Sequence, residues 1–202
     1  NPQFFSLFQA TMSAPILSDL QVKFLINNES IGFIISDDPV IFQNQWAEHH
    51  QKFRIYPGIT GLASKGLQIL MPLSPKVCMV LFDASTYEYG KKKSRLCSLG
   101  KLDVARINTL QAISSFGCVY FDKEKITDTE LNRLTAERKK YLERNSPRVN
   151  DITVYFDRDR LDPPSEMIRV NSDDLRIGAK FSFIRVIETG SFSSYQKAIL
   201  PV

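Results

Sequence analysis

Ile34-Ile-Ser-Asp-Asp-Pro-Val-Ile-Phe42 is an aliphatic run that stops in three small polar residues and a proline, then resumes. A second stretch, Gln68-Ile-Leu-Met-Pro-Leu-Ser-Pro75, ends in the same manner. Aliphatic runs bounded by turn residues read as strands, and such endings bring polar side chains to the rim of a sheet. Upstream, Leu20, Val22, Phe24 and Ile26 alternate with Gln21, Lys23 and Leu25, which predicts a half-buried strand. Asn27-Asn-Glu-Ser30 predicts a turn and Ile31–Ile35 a second strand, so the two form a hairpin. Leu67–Leu73 and Val77–Phe82 predict another hairpin, turning through Ser74-Pro75-Lys76.

The rest of the chain supplies helices and connections. Pro2–Ala10 is rich in Phe and reads as the end of a helix or an apolar lead-in. Val40–Phe42 continues as a strand after Pro39. Gln43–Gly66 is a long polar connection carrying Trp46, His49 and His50, and structureless connections of that length are uncommon and often functional. Glu88–Gly100 reads as a loop with the cationic run Lys91, Lys92, Lys93 and then Arg95. Asp103 is the expected cap of a helix reaching Phe116, with Val104, Ile107, Leu110 and Ile113 as its apolar stripe and Gly117 as the residue that ends it. Cys118–Phe121 reads as a short strand. Thr127-Asp-Thr-Glu130 is a capping box for a helix to about Arg144, stopped by Pro147. Ile152–Phe156 and Lys180–Ile187 read as strands, with a charged loop over Asp157–Pro164.

These elements predict one α+β domain over residues 1–202, a mainly antiparallel, hairpin-built sheet packed by two or more helices. A length of 202 residues suffices for one core of that kind. No apolar run approaches the roughly 18–20 residues that span a bilayer, so no membrane partner is expected. The chain starts at Asn1 without an initiator Met or a basic lead, and reads as a piece of a longer protein without a signal peptide. Cys78, Cys97 and Cys118 are odd in number and widely spaced, which points to buried thiols in a reducing, cytoplasmic setting. His49 and His50 are adjacent, point in different directions on any regular element, and are poorly placed to share a metal. A net charge of +4 permits a nucleic-acid or anionic partner without requiring one.

Three stretches carry a family resemblance. They are Phe33-Ile-Ile-Ser-Asp-Asp-Pro-Val40, Gly61-Leu-Ala-Ser-Lys-Gly-Leu-Gln-Ile-Leu-Met-Pro-Leu-Ser-Pro75 and Asn108-Thr-Leu-Gln-Ala112. In this order they resemble the bacterial domain-of-unknown-function 4238 family, with its F-I-T-S-D-x-P-V, G-x-x-S-x-G-x-x-I-x-F-P-L-S-P and N-x-L-Q-A motifs. The resemblance covers about the first 120 residues, so 1–121 is the family-like core and 122–202 a C-terminal helix-strand extension. It implies a shared fold and a shared polar cluster, and brings no activity with it. The family's usual opening segment, H-x-V-P-x-F-x-L-x-x-F, is absent here, so no role of its histidine carries over. Ile35 stands where Thr is common, which removes one hydroxyl.

The candidate site gathers around these motifs. Asp37 and Asp38 are candidate catalytic carboxylates and ligands for a divalent Mg²⁺ or Mn²⁺, since metal-assisted phosphodiester cleavage uses clustered hard oxygen donors. The competing reading is a turn in which Asp37 accepts local backbone N–H groups and Pro39 fixes the bend. Asn108, a third catalytic candidate, and Gln111, a binding candidate, lie three residues apart and share a helix face, from which they could reach Asp37 or Ser74. Ser36 and Ser74 are candidate binding residues, although no nucleophile elbow surrounds Ser74. Lys91, Lys92, Lys93 and Arg95 are candidate phosphate contacts. The leading expectation is an intracellular bacterial effector acting on nucleic acid, as a metal-dependent nuclease. The alternative is a non-enzymatic binding or regulatory module in which both motifs are structural turns. A third is a small-molecule pocket lined by Asn44, Gln68, Asn108 and Gln111. Residue types alone leave open whether the chain is an enzyme.

Overall fold

The computed structural model describes residues 2–49, 60–91, 93–144, 148–155, 165–171 and 180–187. The fold is α+β. Its centre is a five-stranded sheet of β1 (Leu20–Asn27), β3 (Ile41–Gln43), β4 (Gln68–Ser74), β5 (Val77–Asp83) and β7 (Leu96–Leu99), in the order β3-β4-β5-β1-β7. All its pairings are antiparallel except β1 with β7. The β4–β5 hairpin forms as its sequence predicts, and Ser74 Oγ accepts the N–H groups of Lys76 and Val77 in the turn. One face of the sheet packs under helix α3 (Lys101–Ser114). Leu25, Leu70, Val80, Phe82, Leu99, Val104 and Ile107 meet there in the main core. Fully buried aliphatic side chains of this kind contribute about 1.5–3 kcal/mol each.

The expected hairpin between β1 and Ile31–Ile35 does not form. β1 is flanked instead by β5 and β7. Asn27 turns the chain away: its Nδ2 donates to the Ile31 carbonyl at 2.7 Å and the Pro75 carbonyl at 3.1 Å, and its Oδ1 accepts the Glu29 N–H. Of the run after it, only β2 (Ile35–Ser36) is strand, paired with β8 (Val119–Tyr120). The Glu88–Gly100 stretch, expected as a loop, contains the end of β6 (Tyr87–Tyr89) and all of β7. The buried face of β1 also carries polar residues, because Lys23, Leu25 and Asn27 are buried while Val22 is exposed.

Helix termini differ in part from their sequence signals. The N-cap of α3 is Gly100, in extended conformation with no side-chain cap bond. Asp103 lies inside the first turn, buried, where its carboxylate accepts the Ser182 N–H at 2.9 Å and the Ser182 hydroxyl. Gly117 has no positive φ and so is not a left-handed terminator. Helix α4 (Asp128–Arg144) does begin on its capping residue, with Thr127 Oγ1 accepting the Glu130 N–H at 3.3 Å. α4 packs on α3 through a second core of Ile34, Ala112, Ile126 and Leu134.

The remaining pieces are peripheral or join from the far end of the chain. Gln45–His49 forms a short helix, α2, within the long connection, and His50 lies outside the described residues. β9 (Arg148–Tyr155) and β10 (Ser165–Asn171) form a two-stranded ladder. The loop expected over Asp157–Pro164 lies outside the described residues, as does Pro147. β11 (Ile184–Val186) pairs with β6, and Phe181 joins the main core, its ring against Phe183, which in turn meets Tyr89. Helix α1 (Pro2–Ser13) presents Phe4, Phe5, Leu7, Phe8 and Met12 as an exposed apolar stripe. Among the described residues, no helix is long and apolar enough to cross a membrane.

Candidate functional site

The Ser-Asp-Asp-Pro corner is held by helix α3. Asn108 Nδ2 donates to the Gly32 carbonyl at 2.8 Å and its Oδ1 accepts the Ile34 N–H at 3.0 Å. One turn on, Gln111 Oε1 accepts the Ser36 N–H and its Nε2 donates to the Pro39 carbonyl, both at 2.8 Å. Each amide therefore presents one donor and one acceptor to the segment, as the backbone of a neighbouring strand would. The i, i+3 spacing places both on one face of α3. Both side chains are wholly buried. Ser36 Oγ lies 2.7 Å from the Asp38 carbonyl and 2.8 Å from Gln111 Oε1, and Ser114 Oγ lies 3.1 Å from the same carbonyl.

Asp37 faces away from this buried cluster, toward the chain that leaves α3. Its carboxylate accepts three consecutive N–H groups, from Phe116 at 2.9 Å, Gly117 at 2.9 Å and Cys118 at 3.0 Å. Desolvation pushes its pKa up, and the Gly117, Phe116 and Cys118 hydrogen bonds outweigh that, so the carboxyl sits below its ordinary 3.8. Asn108 and Gln111 bond to the backbone of the segment, and the carboxylate of Asp37 goes to the α3 exit. Ser74, in its own hairpin turn, joins neither. Among the described residues, no group of three or more His, Cys, Asp and Glu side chains is placed to hold a metal ion.

Asn44 and Gln68 belong to a second cluster, under β6. Asn44 Oδ1 caps α2 by accepting the Ala47 N–H at 3.0 Å, and its Nδ2 donates to the Lys65 carbonyl. Gln68 Oε1 accepts the Gln45 N–H at 3.0 Å, and its Nε2 bonds the Tyr89 hydroxyl. Tyr87 accepts the Trp46 N–H at 2.7 Å and donates to the Gly66 carbonyl at 2.8 Å. Gly66 has φ +75°, and a Cβ there would lie 2.7 Å from Asn44 Oδ1, so only glycine fits. Its N–H donates to Asp83, which also accepts from Ser85 and Thr86. Desolvation raises the Asp83 pKa, but these hydrogen bonds prevail and hold it below the usual value. Burial pushes the Tyr89 phenol up. The four amides expected to line one pocket thus serve two separate frameworks.

The cationic run sits elsewhere, where β7 leaves β1. Lys93 and Arg95 are exposed, and with Gln21, Val22, Lys23, Phe24 and Ser94 they line a groove of about 570 Å³. Lys23, which the sequence reading did not single out, is buried and donates its ammonium to the carbonyls of Tyr89 and Lys91. Those two bonds fix the start of the segment that forms the groove's outer wall. A lysine in the middle of an alternating strand was the available signal. Lys91 is exposed, and Lys92 lies outside the described residues.

All of these residues fall within the first 125. No curated protein and no solved structure matches the chain. The model of the family described as "Protein of unknown function (DUF4238)" matches residues 2–125, and the chain belongs to that family.

Proposed function

We propose that this chain is a non-enzymatic binding or regulatory module whose Ser-Asp-Asp-Pro and Leu-Ser-Pro corners are structural turns. The carrying observation is that the Asp37 carboxylate accepts three consecutive backbone N–H groups. A general base needs a pKa near the working pH, and this carboxyl is depressed instead. The amides of Asn108 and Gln111 support the same reading, since each already bonds backbone at both ends.

Cleavage of labelled single-stranded DNA and RNA in Mn²⁺ provides the test, with wild type compared with Asp37→Ala and Asp38→Ala. The expected result is no metal-dependent cleavage by any of the three. Cleavage by wild type that either substitution abolishes would replace the module reading with a metal-dependent nuclease built on those two carboxylates.

A further inference from the structure

The five-stranded sheet carries an open edge inside a basic groove. β7 pairs with β1 only from Phe24 onward, with Phe24 opposite Leu96 and Asn27 opposite Leu99. Among the described residues, Leu20–Lys23 is paired on one side only, with β5. Backbone direction follows from alternation along the strand. The Asn27 N–H reaches Lys76, on the β5 side, and the Phe24 N–H reaches Arg95, on the β7 side. Val22, two residues before Phe24, therefore turns its N–H and C=O toward the open edge. The segment that would have covered it bends off at Ser94, whose N–H returns to the Lys91 carbonyl and whose Oγ accepts the Leu96 N–H.

Three features converge there: strand hydrogen-bonding groups facing the open side, the exposed apolar side chain of Val22, and the cations Lys93 and Arg95. Neither cation makes an ion pair with a described residue. We propose that the groove receives an acidic, extended peptide segment of a partner protein, which adds as a strand beside Leu20–Lys23. Main-chain hydrogen bonds to Val22 hold it, and its carboxylates meet Lys93 and Arg95. The open edge of four residues spans about 13 Å, enough for one short strand. A second copy of this chain is the poorer occupant, because edge cations repel an identical edge. Single-stranded nucleic acid shares the charge but has no peptide donors and acceptors to match Val22. This proposal rests on the binding-module reading and names the partner of that module.

The experiment uses a fluorescein-labelled hexapeptide alternating valine and glutamate, followed by anisotropy. Its comparisons are the same peptide N-methylated at every residue and a labelled hexathymidylate. The hexapeptide is expected to bind saturably. N-methylation, which keeps the charge and removes the main-chain donors, is expected to weaken it at least tenfold. Lys93→Glu with Arg95→Glu is expected to do the same. Val22→Pro deletes an N–H that the β1–β5 ladder does not use, and is expected to weaken binding while leaving the protein folded. If that variant fails to fold, the N-methylated peptide against wild type carries the test. Hexathymidylate binding as tightly as the peptide, indifference to N-methylation, or no peptide binding would each overturn strand addition. A protein that cleaves no nucleic acid yet fails to bind the peptide would lose this proposal and keep the module reading.

Discussion

Gln111 and Asn108 are buried amides that bond backbone at both ends, and Gln111 also meets the Ser36 hydroxyl. Removing one leaves a carbonyl and an N–H of the 32–39 segment without a partner in a dry site, where each such group costs about 1–3 kcal/mol. Asn108→Ala is therefore expected to lose about 2–4 kcal/mol of stability. The midpoint of thermal unfolding should fall on the order of 10 °C, and a loss of a degree or two would show that the amide is dispensable. Asp37 acts on the surface and through its charge. Its folded pKa is lowered, so its contribution is fully present above the unfolded value, near the ordinary 3.8, and is lost as pH falls through the folded value. The stability gap between wild type and Asp37→Asn should be widest at neutral pH and close toward pH 3. A gap that stays constant over that range would mean that the negative charge is not what the three N–H groups read.

At the level of elements, β4, β5 and α4 were legible because local signals and tertiary surroundings agree. The β4–β5 hairpin has two apolar runs with one turn between them, and α4 has a capping box followed by spaced leucines. Segment 31–39 was not legible. Its residues favour a strand, but their hydrogen-bonding partners are side chains of a helix more than seventy residues later. No local pattern shows that two amides will stand in for a strand. β7 was hidden by the basic run before it, and its partner is a parallel strand far back in the chain. The buried face of β1 misleads for a similar reason: Lys23 and Asn27 look like solvent-facing residues, yet the carbonyls of Tyr89 and Lys91 satisfy the first and those of Ile31 and Pro75 the second. Asp37 was legible as a functionally charged corner or a turn. What it bonds depended on where α3 ends.

The whole molecule is a sheet packed on one face by an apolar core under α3, with a polar network at the Ser-Asp-Asp-Pro corner. The 181–187 segment, beyond the family-matched region, completes the core through Phe181, the Asp103–Ser182 bonds and the β6–β11 pair. Stability and ligand contact are then expected to separate in space, with the network at the Ser-Asp-Asp-Pro corner and contact at the open edge of β1. The most direct test of the corner's role is thermal unfolding of wild type and Asp37→Ala, each with and without Mg²⁺ and Mn²⁺. A ligand bound only by the folded state at 100 times its dissociation constant adds about 2.7 kcal/mol, an easily measured shift. The expected result is a lower midpoint for Asp37→Ala and no metal shift in either protein. A metal-dependent rise in wild type that disappears in Asp37→Ala would contradict it, and would make the corner a metal site.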